Sequence, residues 1–147
     1  MSFVFDKSKS LSYPAYMKDK NVTKILIVED NHIAQKIARM VVESLNCESD
    51  IIGNAAYALQ LFSKNRYDLV FIDLGLPDKD GYKVAEEMRE IEHKKSLPPI
   101  PLIGLSVHTG ELKKIRAKNV GMNDYIIKPL TRENCESTFT KYLTRAR

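Results

Sequence analysis

Two rhythms of apolar and polar residues alternate along this chain. Ile25-Leu26-Ile27-Val28 is a short β-branched run and predicts a first strand. From Asn31 onward, Ile33, Ile37, Met40, Val41 and Leu45 recur every three or four residues, predicting an amphipathic helix with that stripe inward. Ile51-Ile52 before Gly53 reads as a second strand, and Ala55, Ala56, Ala58, Leu59, Leu61 and Phe62 as a second helix ending near Asn65. Leu69 to Ile72 is a third strand. A helix from near Gly81 carries Val84, Ala85, Met88 and Ile91 on one side and stops before Ser96-Leu97-Pro98-Pro99, because proline bars helical continuation. Pro101 to Leu105 is a fourth strand, and residues 110–119 a fourth helix with Gly121 as a left-handed cap. Tyr125-Ile126-Ile127 is the fifth strand. Thr131 then caps a fifth helix, in which Phe139, Tyr142 and Leu143 point inward.

Five strands alternating with five helices predict an α/β fold: one doubly wound parallel sheet with helices on both faces. The flavodoxin-like order 2-1-3-4-5 places its switch point between strands one and three, where a ligand crevice opens. Residues 1–22 show no sustained period and mix Ser, Lys and Pro14 with scattered aromatics, so they read as a tail or linker. The folded domain is expected over residues 23–147.

Composition narrows the class. With 147 residues, 44% hydrophobic and 29% charged, the chain suits a single soluble domain. It has no secretory signal pattern and no apolar stretch near the roughly 20 residues that span a bilayer. Its two cysteines, Cys47 and Cys135, are too few for a disulfide framework or a metal cluster, so a cytoplasmic setting is expected. Net charge is +4, but in the first 24 residues five lysines oppose two aspartates, leaving +3 there. These lysines are dispersed and no helix-turn-helix segment follows, so neither nucleic acid nor membrane is expected as a partner.

Candidate chemistry gathers at the strand ends. The third strand runs Leu69-Val70-Phe71-Ile72 and stops on Asp73, before the turn Leu74-Gly75-Leu76-Pro77-Asp78. Other strands run into Glu29-Asp30, Ser106 and Lys128, and in an open parallel sheet these ends share one crevice. Three converging carboxylates repel one another, and a hard divalent ion such as Mg²⁺ resolves that conflict. Lys128 adds an ammonium able to hold a phosphoryl oxygen, and Ser106 a hydroxyl. Carboxylate nucleophile, metal, ammonium and hydroxyl together describe phosphoryl transfer to an aspartate.

These pieces resemble the receiver domains of two-component response regulators. The likeness rests on Ile27-Val28-Glu29-Asp30-Asn31, Asp73-Leu74-Gly75-Leu76-Pro77-Asp78 with Gly81, Leu105-Ser106-Val107, and Tyr125-Ile126-Ile127-Lys128-Pro129, and spans residues 24 to 145. It implies Asp73 as phosphoacceptor, with Glu29, Asp30, Asp73 and the Gly75 carbonyl around Mg²⁺. It implies Ser106 and Lys128 as phosphoryl-binding, Ser106 and Tyr125 as the switch pair, and a cis Lys128–Pro129 peptide. Glu29 stands where aspartate is commoner, and Val107 is bulkier than the usual Ala or Gly. Gly75 and His108 occupy positions that tune acyl phosphate lifetime in the family. His32, His93 and His108 are expected on solvated surface.

The segment Gly121 to Leu130 is most like receivers of hybrid histidine kinases, which implies a histidine kinase or histidine phosphotransfer domain as partner. The face of helix four, strand five and helix five is the expected output surface. A stand-alone receiver and a fragment of a longer kinase are both consistent with the chain. A monomer is expected, with a dimer through helix four as the alternative. No turnover of a separate metabolite is expected: a haloacid dehalogenase-type phosphohydrolase wants a second Asp two residues after the nucleophile, and that position is Gly75. A degenerate, unphosphorylated receiver acting as a protein-binding scaffold is the remaining alternative.

Overall fold

A computed structural model describes residues 22–143. The tail expected over residues 1–22 lies outside this range, apart from Val22. The elements follow in strict alternation: β1 (Thr23–Val28), α1 (His32–Ser44), β2 (Cys47–Ile52), α2 (Ala55–Lys64), β3 (Leu69–Asp73), α3 (Gly81–Lys94), β4 (Leu102–Ser106), α4 (Glu111–Asn119), β5 (Asp124–Ile127) and α5 (Arg132–Tyr142). All strand pairs are parallel and the sheet order is β2-β1-β3-β4-β5, as the pattern predicts.

The central strands carry nearly continuous apolar runs because both of their faces are covered. Leu26, Val28, Val70, Ile72 and Leu102 point to one side, against Ala58 and Phe62 of α2, Val84, Ala85 and Met88 of α3, and Ala117 of α4. Ile25, Ile27, Leu69, Phe71, Ile103 and Leu105 point to the other, against Ala38 and Val42 of α1 and Cys135 and Phe139 of α5. Side-chain oxygens start most of the helices: Asn31 accepts from the Ala34 N–H, Asn54 from Tyr57, Asp80 from Tyr82, and Thr131 from Asn134 in a capping box. Gly121 follows α4 at φ 93, as its predicted role as a left-handed cap requires. Among the described residues no helix is long and apolar enough to cross a membrane.

Two expectations need correction. β2 starts at Cys47, four residues before the apolar pair that signalled it, since an edge strand paired with β1 alone tolerates Glu48, Ser49 and Asp50. In α1 the core face is Ala38 and Val42, followed by Leu45, while Ile33 and Met40 are each 71% exposed and Ile37 also faces out. The predicted stripe merged two faces of one helix, and its outer part forms an apolar row on the surface.

Both cysteine thiols are buried. Burial, with the Asp68 charge second, pushes Cys47 up to about 12 from an ordinary 9.0. Burial likewise raises Cys135 and Tyr67, the latter also bonded to Asp50. Groups whose folded pKa is raised contribute stability that is complete below the unfolded value and is lost as pH climbs to the folded one. The urea midpoint is therefore expected to fall between about pH 8 and about pH 10. A midpoint that held or rose across that range would contradict this burial.

Candidate functional site

Strand order places every candidate side chain along one edge of the sheet. Glu29 follows β1, Asp73 ends β3, Ser106 ends β4 and Lys128 follows β5. The register aligns these neighbours, pairing Val28 with Ile72, Asp73 with Leu105 and Ser106 with Ile127. The Lys128 N–H donates to the Ser106 carbonyl at 2.7 Å, tying two of the ends together. The Lys128–Pro129 peptide is cis.

The Lys128 ammonium lies 2.5 Å from Glu29 Oε1 and 3.4 Å from Asp73 Oδ2. Glu29 is nearly sealed from solvent, Asp73 is buried and Asp30 is exposed. Asp73 Oδ1 accepts the Gly75 N–H at 2.9 Å, and Glu29 Oε2 accepts the Asn31 N–H at 3.1 Å. Burial raises the Glu29 carboxyl above its ordinary range; Lys128 and the Asn31 N–H oppose that, and the Asp73 charge adds to it. For Lys128, burial alone would lower the ammonium, but the Glu29 and Asp73 carboxylates outweigh it and hold the pKa above its usual value. Lys128 is thus a fixed cation between two buried carboxylates.

A metal fits this donor set. Glu29, Asp30 and Asp73 each offer a carboxylate oxygen, all within 4.8 Å of one another. Glu29 Oε1 is buried and has no aligned hydrogen-bond donor, because Lys128 meets it as a close charge off the hydrogen-bond line. An all-oxygen set with one solvent-facing member suits Mg²⁺, which keeps several waters. Beside the carboxylates opens a cavity of about 580 Å³ lined by Asp73, Gly75, Ser106, His108, Lys113 and Lys128, among others. That is room for a phosphoryl group. The Ser106 hydroxyl donates to the His108 carbonyl at 2.9 Å.

Tyr125 does not line this cavity. It is half-buried in the neighbouring groove between α4 and β5, where its hydroxyl accepts the Gly110 N–H at 3.4 Å. His32, His93 and His108 are exposed, as expected.

Several contacts, some at the site and some at the opposite end of the sheet, carry no signal in the hydrophobic pattern. Asp78 Oδ2 accepts the Ala55 N–H at the start of α2. Asp80 caps α3 and pairs with Arg116 of α4, whose guanidinium lies 4.0 Å from the Tyr82 ring centroid. On α3, Arg89 donates to the carbonyls of Gly121 and Ile100 and to the Asn123 side chain, and pairs with buried Glu92, which accepts the Ile100 N–H. Only the Gly and Asp punctuation of the segment after Asp73 hinted at any of this.

Residues 25–139 match the model of the response regulator receiver domain. The chain belongs to that family. Over 126 residues this receiver is 32% identical to hybrid signal transduction histidine kinase L of Dictyostelium discoideum, covering 84% of the chain but 7% of the kinase. It spans a similarly small part of other histidine kinases to which it is similar. The receiver domain of sensor histidine kinase PA1611 from Pseudomonas aeruginosa, solved with a magnesium ion in its active-site cleft, superposes at TM-score 0.74. It is 27% identical, covering 83% of this chain and 98% of that one. The receiver domain of Ssk1 from Saccharomyces cerevisiae, solved with the histidine phosphotransfer protein Ypd1, shares the fold at TM-score 0.79 and 24% identity, covering 85% and 91% of the two chains.

Proposed function

We propose that this receiver is a Mg²⁺-dependent phosphoacceptor in a two-component phosphorelay, taking a phosphoryl group from a phosphohistidine onto Asp73. The observation that carries this reading is the meeting of three carboxylates and Lys128 at one sheet edge, beside a cavity with room for a phosphoryl group. An Asp73 carboxylate oxygen attacks phosphorus, the P–N bond to the donor imidazole breaks, and the released nitrogen takes a proton from water. Glu29, Asp30, Asp73 and the Gly75 carbonyl would hold Mg²⁺, which supplies charge to screen the incoming phosphoryl oxygens. Lys128 stays between Asp73 and Glu29, placed to bond a phosphoryl oxygen without a large movement. Ser106 gives up its bond to the His108 carbonyl to meet another, and Tyr125 follows that movement from the α4–β5 groove. The altered α4–β5–α5 face is the output. No separate metabolite is turned over, and Gly75 leaves the phosphohydrolase reading without its second aspartate.

The Ssk1–Ypd1 complex supports a histidine phosphotransfer protein as donor, and the kinship with hybrid kinases supports a kinase as its source. A protein donor must bring its histidine within bonding reach of Asp73, so its docking surface has to adjoin the site. The outer row of α1, Ile33, Ile37 and Met40, meets that need, since α1 begins just past Asp30. Exposed apolar rows of this kind mark partner surfaces.

The test is radiolabel transfer from a phosphorylated histidine phosphotransfer protein, with Mg²⁺ and with a chelator. Label should reach this chain only with Mg²⁺; transfer from no such donor, with small phosphodonors also inert, would end the proposal. Ile33→Glu together with Met40→Glu should slow transfer from the protein donor about tenfold or more while sparing uptake from a small phosphodonor. Equal slowing with both donors would refute α1 as the docking surface.

A further inference from the structure

The cavity beside Asp73 has a wall that the phosphoacceptor reading leaves unexplained. It comes from α4, which contributes Leu112, Lys113 and Arg116. Arg116 is committed to Asp80 and the Tyr82 ring. Lys128, on the opposite wall, is committed to Glu29 and Asp73. Lys113 differs: among the described residues no carboxylate lies within ion-pair distance of it, and its ammonium reaches Ser106 Oγ at 3.4 Å. The same hydroxyl oxygen accepts the His108 N–H at 3.2 Å. A half-buried lysine has thus been turned into the cavity, toward a weak neutral acceptor, with its charge uncompensated. Lysines one position either way on a short polar helix can point to open water at no cost, so this placement suits an anion arriving in the cavity.

Charge balance says which anion. Glu29, Asp30 and Asp73 bring three negative charges against one positive charge on Lys128, and a divalent ion brings the total to neutrality. Converting the Asp73 carboxylate to an acyl phosphate replaces one negative charge by two at neutral pH. The loaded site is then one positive charge short. The Lys113 ammonium supplies that charge from the side of the cavity away from the carboxylates.

We propose that Lys113 is a second phosphoryl-binding cation beside Lys128, delivered by α4. The inference rests on the phosphoacceptor reading and adds a residue to it. On phosphorylation the Ser106 hydroxyl and Lys113 move together onto phosphoryl oxygens, and because Lys113 sits in the first turns of α4, the helix is drawn by the same charge. The output face is then coupled to the phosphoryl group through two routes: the Ser106–Tyr125 pair and the Lys113 stem.

Beryllofluoride with Mg²⁺ is the probe, since it mimics a phosphoryl group on a carboxylate without hydrolysing. Its affinity is read by ¹⁹F NMR on the intact chain, with thermal unfolding as the check on folding. Lys113→Met is expected to weaken binding about five- to tenfold, the value of a charge-assisted bond in a half-exposed site. Lys113→Gln, a shorter, neutral polar second variant, should weaken it equally, and Lys113→Arg should restore affinity to within about twofold of the parent. Lys114→Met removes the same charge from the neighbouring position, which lines the α4–β5 groove instead, and should leave affinity unchanged. Parent-like binding by Lys113→Met and Lys113→Gln would overturn the inference alone, as would an equal loss in Lys114→Met, which would mean only the general field of α4. A parent chain that fails to bind the probe with Mg²⁺ would take down the phosphoacceptor reading and this inference together.

Discussion

Asp73→Asn is expected to abolish phosphoryl uptake outright and, in the same stroke, to make the metal-free protein more stable. Uptake ends because the amide oxygen is no nucleophile toward phosphorus and leaves nothing for the phosphoryl group to esterify. Intact mass after incubation with Mg²⁺ and a small phosphodonor should show one added phosphoryl group on the parent and none on the variant. The stability gain has a separate cause. Two buried carboxylates, Glu29 and Asp73, share one ammonium, and the Asp73 charge is one reason the Glu29 carboxyl is raised. Removing it leaves a one-to-one pair, and the Asn oxygen can still accept the Gly75 N–H that Asp73 Oδ1 accepts now. The expected gain is about 1 kcal/mol without metal, from relieved like-charge repulsion. Adding Mg²⁺ should stabilise the parent and do little for the variant, because one of three carboxylate donors has gone. An adduct on the Asn chain would move the acceptor elsewhere. A destabilised Asn chain would show that the Lys128–Asp73 attraction outweighs the crowding.

Gly81→Ala carries the second large effect. A β-carbon at Gly81 would stand 2.3 Å from the Asp73 carbonyl oxygen, 2.9 Å from Leu74 Cα and 3.1 Å from the Asp73 carbonyl carbon. All three are backbone, so no side chain can swing aside. Relief requires either α3 to retreat from the sheet or the end of β3 to shift, and β3 is fixed on both sides by β1 and β4. The expected cost is about 3 kcal/mol in urea unfolding, the upper end for overpacking a rigid site. Phosphoryl uptake should also slow, because the atoms displaced include those that carry the Asp73 side chain. An Ala variant within about 0.5 kcal/mol of the parent would show that α3 can back away freely.

The Gly81 contact also shows what the sequence could and could not reveal. The four site residues were legible because each terminates an apolar run, and a parallel sheet brings such termini together whatever the details of packing. Gly81 could be noted as a helix start and as part of the resemblance, but nothing in a one-dimensional pattern says that a backbone passes within contact distance. The first four residues of β2 were hidden for a different reason: Glu48 is exposed and Ser49 and Asp50 are half-buried on an edge strand, where no hydrophobic signal is required. The α1 stripe misled because Ile33, Ile37 and Met40 share the helical period of the core residues while facing away from the sheet. Lys113 was one lysine among several on a polar helix, and only its distance to Ser106 singles it out.

The Arg89 cluster has a mechanical meaning. Its guanidinium gathers the Gly121 carbonyl just past α4, the Ile100 carbonyl just before β4 and the Asn123 side chain just before β5, and Asn123 in turn accepts the Leu102 N–H. The trailing end of α4 is therefore riveted to the edge of the sheet remote from Asp73. Its leading end has no side-chain cap and is held near the site by long contacts of 3.4 Å, from Lys113 to Ser106 and from the Gly110 N–H to Tyr125. A rod pinned at one end and lightly tethered at the other tilts rather than slides. If a phosphoryl group draws Lys113 as proposed, Arg89 is the fulcrum for α4, and the exposed side chains of Leu112 and Ile115 swing across the proposed output face.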